Sequence, residues 1–297
     1  MMPPTGDLDD LTHLAGPAAE LVVLRNGHTT VLLNRARRLL VRLYPAGTPV
    51  EGISQELTVC WYLDRHGLRV PQPAEIDAGQ PILLGDGRWC TIWRLLDGRA
   101  DAVPDYYRLG VRLRLLHAVP LPDESWPWSP VPRIAAWIEG IHAHDPSWLP
   151  AGAVPWLRRR MAAAEDRISR LEPDTDQVFC HGDPHPGNLL RTADGDLLVD
   201  YEYAGVGPRE WDLSEIRCHA RRFGLTAADR QAFLAGYGAG SFIASPRTAE
   251  TLVEVRELML TTWAIYRTLS ARADPAEALL RLESLRMPGR RSRWSRR

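Results

Sequence analysis

The sequence predicts an α+β fold in two parts, a small antiparallel sheet with one helix followed by a larger and mainly helical part. Three observations support this prediction. The chain has 297 residues, about twice the roughly 150 residues of an ordinary domain. Up to residue 96, short apolar and β-branched runs alternate with turn residues, which indicates strands. From Tyr106 onward, the apolar residues recur at helical spacing instead.

The N-terminal part, residues 1–96, is predicted to be a sheet into which one helix is inserted. The helix should cover about Ile53–His66, because Ser54 can cap its start and Gly67 suits its end. Turn residues rich in Gly, Asn and Asp separate the apolar runs on either side of it. The predicted strands are Glu20–Leu24, Thr30–Leu33, Leu39–Tyr44, Pro81–Leu84 and Trp89–Leu96.

The second part, residues 97–285, is predicted to be mainly helical. Its apolar residues form stripes, of which Leu109, Leu113 and Leu116 are one example. A compact strand-and-loop segment, Val178–Pro208, interrupts the helices. The tail 286–297 is rich in Arg, Ser, Gly and Pro and has no apolar periodicity, so we predict that it is disordered. Further helices are predicted at Ile134–Ile141, Trp156–Leu171, Ala227–Tyr237 and Thr248–Leu269.

The composition excludes several classes of enzyme, because all 36 basic residues are arginines and the chain contains no lysine. A Walker A loop needs its lysine to reach the phosphates, so a standard P-loop NTPase is excluded. Lysine Schiff-base chemistry, including that of pyridoxal phosphate enzymes, is excluded for the same reason. A formal net charge of -1 also excludes a basic footprint for nucleic acid over the whole chain.

The sequence gives no sign of secretion or of a membrane span. The first ten residues contain Asp7, Asp9 and Asp10 but no basic residue, unlike the start of a secretory signal. No stretch approaches the roughly 18 apolar residues of a membrane helix, and the four cysteines lack metal-ligand spacing. We therefore expect a reduced cytoplasmic protein, monomeric or homodimeric, without a nucleic-acid or membrane partner.

The segment Cys180–Leu190 carries the most chemical information. Asp183 and Asn188 lie five residues apart in a loop that contains two prolines and two glycines, and a short strand further on delivers Asp200. A turn at Thr192–Gly195 would make a hairpin that brings Asn188 close to Asp200. Two carboxylates and an amide fit phosphoryl transfer, in which one Asp accepts the hydroxyl proton while an Asn and a second Asp hold Mg²⁺.

The pattern H-G-D-x-x-x-x-N, followed by an apolar strand and Asp, resembles the aminoglycoside phosphotransferase family, which has a bilobal protein-kinase-like fold. The resemblance covers about residues 15–285. It implies a kinase that uses ATP and Mg²⁺ to phosphorylate a hydroxyl of a small molecule, such as an antibiotic or a metabolite alcohol. Asp183 would be the catalytic base, and Asn188 and Asp200 the metal ligands. Asp212 resembles the family's structural Asp, which braces the catalytic loop.

The resemblance also assigns nucleotide contacts to the N-terminal part. Asn26-Gly27 stands where the turn that covers the phosphates belongs. Arg42 stands in the place of the kinase lysine, and Arg suits bidentate contact with phosphate. Glu56 would be its ion-pair partner, although an ordinary surface pair is the alternative. The backbone of the hinge, including Trp93 and Leu95, would meet the adenine.

Two other functions stay open at this point. The protein could be a nucleotide-binding pseudokinase with little catalysis, because it lacks the lysine and has a single glycine in the phosphate turn. It could also be a metal-dependent hydrolase that uses His181, Asp183, His185 and Asp200. The acceptor does not follow from the sequence. A polycationic aminoglycoside would need an acidic cleft, for which the candidate acids are Asp101, Asp105, Asp123, Glu124, Glu139, Asp145, Glu202 and Glu215.

Overall fold

A computed structural model gives the positions of most of the chain. It describes residues 9–17, 20–26, 29–77, 79–99, 103–123, 126–171, 176–238, 245–271, 273–287 and 292–295. The protein is α+β, as predicted, and divides into two compact units. The first unit comprises Met1–Ala102 and Gly187–Tyr203, and the second comprises Val103–Pro186 and Ala204–Arg297. Within the described residues, no helix combines the length and the apolar character needed to cross a bilayer.

The first unit contains an antiparallel sheet that packs with helices. Its elements are α1 (Asp9–Ala15), β1 (Leu21–Asn26), β2 (Thr30–Asn34), β3 (Leu39–Leu43), α2 (Val50–Arg65), β4 (Ile82–Leu83) and β5 (Trp89–Arg94). The strands lie in the order β1-β2-β3-β5-β4. Val41 of β3 is buried in a core with Leu32, Ile92 and Leu11. Because successive side chains of a strand point to opposite faces, Arg42 leaves β3 on the face opposite to Val41.

A second, smaller sheet explains why the later segment Gly187–Tyr203 belongs to the first unit. Strand β6 (Gly98–Arg99) pairs with β8 (Leu189–Thr192), and β8 forms a hairpin with β9 (Gly195–Leu198). The guanidinium of Arg69 donates hydrogen bonds to Thr192 Oγ1 at 2.7 Å and to the Gly195 carbonyl at 3.2 Å. The predicted boundary at residue 96 assigned this segment to the second part, whereas its strand pairing joins it to the first.

The second unit is mainly helical. Its elements are α3 (Tyr106–His117), α4 (Val131–His144), α5 (Ala153–Ser169), β7 (Gln177–Cys180), β10 (Gly205–Pro208), α6 (Arg209–Arg222), α7 (Ala227–Tyr237), α8 (Pro246–Ala271) and α9 (Ala276–Arg286). Strands β7 and β10 form an antiparallel pair. β10 leads without a gap into α6, so the first turn of α6 is anchored to the end of the pair.

Two glycines let α3 and α7 approach closely. A Cβ on Gly110 would collide with the carbonyl oxygen of Phe233, and a Cβ on Gly236 would collide with the carbonyl of Tyr107. The close packing brings His117, at the end of α3, to Tyr237, whose hydroxyl lies 2.7 Å from Nδ1 of the histidine. The helix pair therefore fixes the orientation of the His117 ring.

Helix α6 was not predicted, and its composition explains why. Its buried face includes Asp212, Glu215, His219 and Arg222, so the apolar stripe that indicates a helix is broken by charged side chains. Such groups are buried at little cost only when they are paired with one another, and pairing between distant residues cannot be seen in the sequence. Helices α1 and α9 and strand β6 are also additional to the predicted elements.

The C-terminal tail differs from the predicted disorder where the structure describes it. Trp294 is buried, its backbone N–H donates to the Arg222 carbonyl at 2.6 Å, and its indole N–H donates to Ser284 at 3.1 Å. The guanidiniums of Arg222 and Arg281 lie 4.8 Å and 5.1 Å from its ring centroid. A single large aromatic side chain therefore docks residues 292–295 against the second unit, and one tryptophan has no periodicity that could predict this.

Candidate active site

The loop that carries Asp183 is fixed by a buried carboxylate. Asp212, in the first turn of α6, accepts hydrogen bonds from the backbone N–H of His181 at 2.7 Å and of Gly182 at 2.8 Å. His117 Nε2 lies 2.9 Å from the same carboxylate. Burial opposes ionisation, but the hydrogen bond and charge of His117 and the loop N–H groups hold the pKa of Asp212 below its ordinary value. Asp212 thus braces the loop, the role that the sequence resemblance implied.

Asp183 lies between the side chains of Arg256 and His185. Its side chain is 24% exposed, with Oδ1 at 3.9 Å from Arg256 Nη1 and Oδ2 at 3.6 Å from His185 Nε2. Its backbone N–H donates to Nδ1 of the buried His181 at 3.3 Å. Burial raises the pKa of Asp183 above its ordinary value, and Glu215 adds to this rise, which the neighbouring His185 and Arg256 only partly oppose. The arrangement gives a partly shielded carboxylate, which suits a general base.

Arg256 contacts the Asp183 loop but is not among the predicted site residues. It lies on α8 and is fully buried. Its guanidinium donates to the Gly182 carbonyl at 3.2 Å and to the Trp211 carbonyl at 2.8 Å, and it lies 4.0 Å from the centroid of the Trp211 ring. A signal did exist, because residue 256 falls within the apolar stripe of the helix predicted over Thr248–Leu269. An arginine at a core position indicates a buried partner for its charge.

The predicted metal ligands Asn188 and Asp200 meet at one end of the β8–β9 hairpin. The backbone N–H of Val199 donates to the Asn188 carbonyl at 2.9 Å, which extends the pairing one residue beyond the strands. Asn188 is buried, and Asp200 directly follows Val199 with a left-handed φ of 72°. Among residues other than glycine, Asp and Asn tolerate this conformation best. The hairpin therefore places residues 188 and 200 at the same end of its two strands, as its turn predicted.

Arg42 joins this hairpin to α2. Its Nη1 donates to Glu56 at 2.7 Å and 3.0 Å, and its Nη2 donates to Asp200 Oδ1 at 3.2 Å. Glu202 lies 3.8 Å away. The side chains of Arg42 and Glu56 are only 14% and 3% exposed, so the alternative of an ordinary surface pair is wrong. The predicted phosphate-binding cation thus contacts a predicted metal ligand.

Three carboxylates share the one guanidinium of Arg42, and the pKa values of Arg42 and Glu56 are shifted as a result. Burial alone would lower the pKa of Arg42, but the negative charges of Glu56, Asp200 and Glu202 raise it above its ordinary value. Burial raises the pKa of Glu56 to about 7, with Arg42 opposing the rise and the other two carboxylates adding to it. The arginine keeps its charge, and the buried carboxylate of Glu56 takes up a proton more easily than an exposed Glu does.

The remaining predicted nucleotide contacts are Asn26, Gly27, Trp93 and Leu95. Gly27 and the side chain of Asn26 lie outside the described residues. Trp93 is buried opposite Leu40 in the β3–β5 ladder, and its indole N–H donates to Thr91 at 2.8 Å. The N–H of Leu95 already donates to the Arg38 carbonyl at 2.7 Å. The adenine contacts of Trp93 and Leu95 therefore stay predictions, and the Leu95 N–H is engaged within the protein.

The donor set suits magnesium better than zinc. Asn188 and Asp200 offer an amide and a carboxylate oxygen, and Mg²⁺ is commonly held by one or two such ligands together with water and phosphate oxygens. Across the described ranges, no group of three or more His, Cys, Asp and Glu side chains is arranged to hold a metal ion. The alternative of a hydrolase built on His181 and His185 therefore has no ligand set in this part of the chain.

Comparison with known proteins decides the family. The sequence profile described as "Phosphotransferase enzyme family" matches residues 23–251, which is more than half of the chain. The chain belongs to the phosphotransferase enzyme family. It is therefore an enzyme that transfers phosphoryl groups from ATP to small molecules, and no comparison supports the pseudokinase alternative.

Curated relatives and solved structures agree with this assignment. The phosphotransferase is 30% identical over 200 residues to the thiamine kinase of Shigella boydii serotype 4 (strain Sb227), which covers 60% of this chain and 69% of that protein. Choline kinase LicA from Streptococcus pneumoniae matches in fold with a TM-score of 0.63 at 14% identity, over 94% of this chain and 95% of the other. An aminoglycoside-3'-phosphotransferase of type VIII matches with a TM-score of 0.63 at 24% identity, over 86% and 100% of the two chains. The kinase-like fold is thereby confirmed.

The raised pKa of Glu56 predicts a pH-dependent difference between the wild type and Glu56→Gln. The folded protein retains a proton that the unfolded chain releases above its ordinary pKa of 4.5. The stability that this proton contributes is complete below about pH 4.5 and is lost as the pH rises to about 7. Relative to the variant, the free energy of unfolding of the wild type should fall in this window by up to about 3 kcal/mol.

Urea unfolding of both proteins at a series of pH values measures this difference. Glu51→Gln, at the exposed start of α2, is the matched control and should show no such trend. If the wild type instead gains stability over Glu56→Gln as the pH rises, then Arg42 stabilises the Glu56 carboxylate fully and the assignment of a raised pKa is wrong.

Proposed function

We propose that Asp183 is the general base that accepts the proton of the acceptor hydroxyl, while Asn188, Asp200 and Arg42 bind the triphosphate end of Mg²⁺-ATP. The observation that supports this most directly is the 3.2 Å contact between Arg42 and Asp200. With the proposed roles, a phosphate-binding cation would lie beside a metal ligand. A kinase needs this combination, because its catalysis consists mainly of positioning and charge neutralisation.

The surroundings of Asp183 hold its carboxylate in a fixed orientation. A base in phosphoryl transfer needs this orientation more than it needs strong basicity. Asp212 holds the N–H groups of the two preceding residues, so the carboxylate projects from a fixed loop. Because burial raises its pKa, it can hold a proton more easily than an exposed Asp. In phosphoryl transfer such a base orients the hydroxyl and takes its proton as the new O–P bond forms.

Asn188 and Asp200 would hold Mg²⁺, which when bound neutralises charge on the transferred phosphoryl group. Asp200 would then exchange part of its interaction with Arg42 for the ion. The Nη2 of Arg42 would become available to a phosphate oxygen, while Nη1 stays on Glu56 at 2.7 Å. A guanidinium can serve two acceptors in this way because its donors form a rigid fork. Glu56 therefore keeps Arg42 in place when its second partner changes.

We propose a small alcohol with a cationic ring, of which thiamine is the first to test, as the acceptor. The relative of Shigella boydii that is 30% identical to this chain is a thiamine kinase. Three of the acids that a polycation could use have partners within the second unit: Glu215 is buried against His219 and Arg256, Glu139 pairs with Arg158, and Asp105 caps α3. Asp101 and Glu124 lie outside the described residues.

An aromatic surface on α8 suits such an acceptor. The half-buried rings of Trp263 and Tyr266 lie 6.1 Å apart, and Trp263 lies 5.2 Å from Trp137 of α4. Trp263 follows Arg256 by two helical turns, so both residues lie on the same face of α8, roughly 10 Å apart along the axis. Aromatic faces bind organic cations by cation–π attraction.

We also propose a cytoplasmic location, which the burial of all four cysteines as thiols supports. The near-neutral net charge of -1 supports a protein without a nucleic-acid or membrane partner. The expectation of a monomer or homodimer stays as predicted.

Asp183→Asn tests the assignment of the base. Turnover with thiamine, and with choline and an aminoglycoside as further acceptors, should fall by roughly 10²–10⁴-fold. ATP affinity should change little, because the base acts on the acceptor and not on the nucleotide. Coupled ADP release measures turnover, and calorimetric titration measures ATP binding. Asp166→Asn, in an exposed ion pair with Arg170 of the same unit, is the control. Near wild-type turnover in Asp183→Asn would contradict the assignment.

Asp200→Ala tests the metal site. The variant should need a higher Mg²⁺ concentration for half-maximal turnover, because it removes an anionic ligand. Asn188→Ala should act in the same direction but more weakly, since it removes a neutral one. Asp194→Ala alters the exposed turn of the same hairpin and is the matched control. A Mg²⁺ dependence of Asp200→Ala that equals that of the control would contradict the metal role.

A further inference from the structure

We propose that Arg256 is a positioning residue for Asp183, and that it holds Oδ1 of this carboxylate so that Oδ2 is the oxygen that receives the hydroxyl proton. The proposal rests on the proposed role of Asp183 as the base. It assigns a part in the reaction to α8, a helix that the catalytic motif of the sequence does not include.

The hydrogen bonds of Arg256 converge on the peptide that precedes the base. Both Nη1 and Nη2 donate to the Gly182 carbonyl at 3.2 Å. Nη2 also donates to the Trp211 carbonyl at 2.8 Å, and Nε donates to Ser214 Oγ at 2.8 Å. The Trp211 indole N–H donates to the same Gly182 carbonyl at 3.1 Å. Since Gly182 is linked directly to Asp183, these bonds fix the point from which the base projects.

The charge of Arg256 is shared between a structural and a functional carboxylate. Nη1 lies 2.8 Å from Glu215 and 3.9 Å from Asp183 Oδ1. Glu215 in turn lies 2.5 Å from His219 Nε2. An unpaired guanidinium would be very costly in this fully buried position. Glu215 therefore keeps the guanidinium of Arg256 in place, within 3.9 Å of the Asp183 carboxylate.

The two oxygens of Asp183 have different surroundings as a result. Oδ1 is directed to the buried guanidinium of Arg256, whereas Oδ2 is directed to His185, whose side chain is 35% exposed. A substrate that arrives from solvent reaches the Oδ2 side. A cation next to Oδ1 also favours the ionised form of the carboxylate, which is the form that acts as a base.

A purely structural role for Arg256 is the competing explanation, and the chain offers a matched control for it. Arg222 of α6 donates to Glu257 of α8 at 2.8 Å and 3.1 Å. It is buried as well, and it connects the same two helices. Its guanidinium packs on Trp294 rather than on the tryptophan that contacts the Asp183 loop. Arg222 therefore measures what a buried α6–α8 ion pair contributes to stability alone.

The experiment compares Arg256→Lys and Arg256→Met with Arg222→Lys and Arg222→Met in the full chain. Thermal unfolding gives the stability loss of each variant, and kinetics are measured at a temperature at which all of them are folded. Arg256→Lys should lower kcat by roughly 10²-fold, the cost of a misplacement of about 1 Å, with little change in the KM for ATP. The Arg222 variants should lose comparable stability but keep kcat.

The pH dependence of kcat/KM distinguishes the two roles, because a purely structural role of Arg256 would leave its acidic limb unchanged. The groups that face Asp183 are Arg256, His185, His181 and Glu215. Loss of the arginine charge removes one cation from this set, so the acidic limb of kcat/KM should shift to higher pH in Arg256→Met. It should stay in place in Arg222→Met. If Arg256→Met does not fold, Arg256→Lys and Ser214→Ala, which removes the acceptor of Nε, provide the comparison.

Equal kcat values and equal acidic limbs in the Arg256 and Arg222 variants at matched stability would overturn the proposal. Asp183→Asn separates this failure from failure of the proposed function. If Asp183→Asn is inactive while the two arginines behave alike, only the positioning role is wrong. If Asp183→Asn retains turnover, the base itself is misassigned and the positioning role is wrong with it.

Discussion

The buried carboxylate of Asp212 is the constraint on which the second unit depends. It accepts two backbone N–H groups of the loop before Asp183 and contacts the ring of His117. That ring is held in turn by Tyr237, which the close packing of α3 on α7 brings into reach. The close packing of α3 on α7 therefore positions His117, His117 positions Asp212, and Asp212 fixes the loop that carries Asp183. Removal of the Asp212 carboxylate would leave two buried N–H groups without an acceptor, which costs about 1–3 kcal/mol for each group.

In each unit, a buried arginine connects a buried carboxylate to a more exposed one. In the first unit, Arg42 connects Glu56 to Asp200. In the second, Arg256 connects Glu215 to Asp183. In both cases one carboxylate is the more buried and keeps the arginine in place, while the other is the more exposed and belongs to the proposed chemistry. The planar fork of a guanidinium suits this division between two acceptors better than the single ammonium of lysine, and the chain contains no lysine.

The features that could be predicted from the sequence are those encoded by neighbouring residues. The hairpin between Asn188 and Asp200 follows from a local turn, and the family follows from one contiguous motif. Helix α6 and Arg256 could not be assigned in this way, because their buried charges depend on partners far away in the chain. The docking of Trp294 was missed for the same reason. The boundary at residue 96 was misplaced for Gly187–Tyr203 because strand pairing joins this segment to the first unit.

The most direct test of phosphoryl transfer follows the γ-phosphoryl group itself. The protein is incubated with Mg²⁺, thiamine and ATP that carries heavy oxygen in the γ-phosphoryl group, and the products are analysed by mass spectrometry. Transfer to the hydroxyl predicts that the labelled phosphoryl group appears on thiamine, with one ADP formed for each phosphorylated acceptor. Choline and an aminoglycoside are tested in parallel. Transfer to one of them but not to thiamine would mean that the acceptor is misassigned while the reaction is correct. Label that appears only in inorganic phosphate with every acceptor, or nucleotide that is bound but never converted to ADP, would contradict the account.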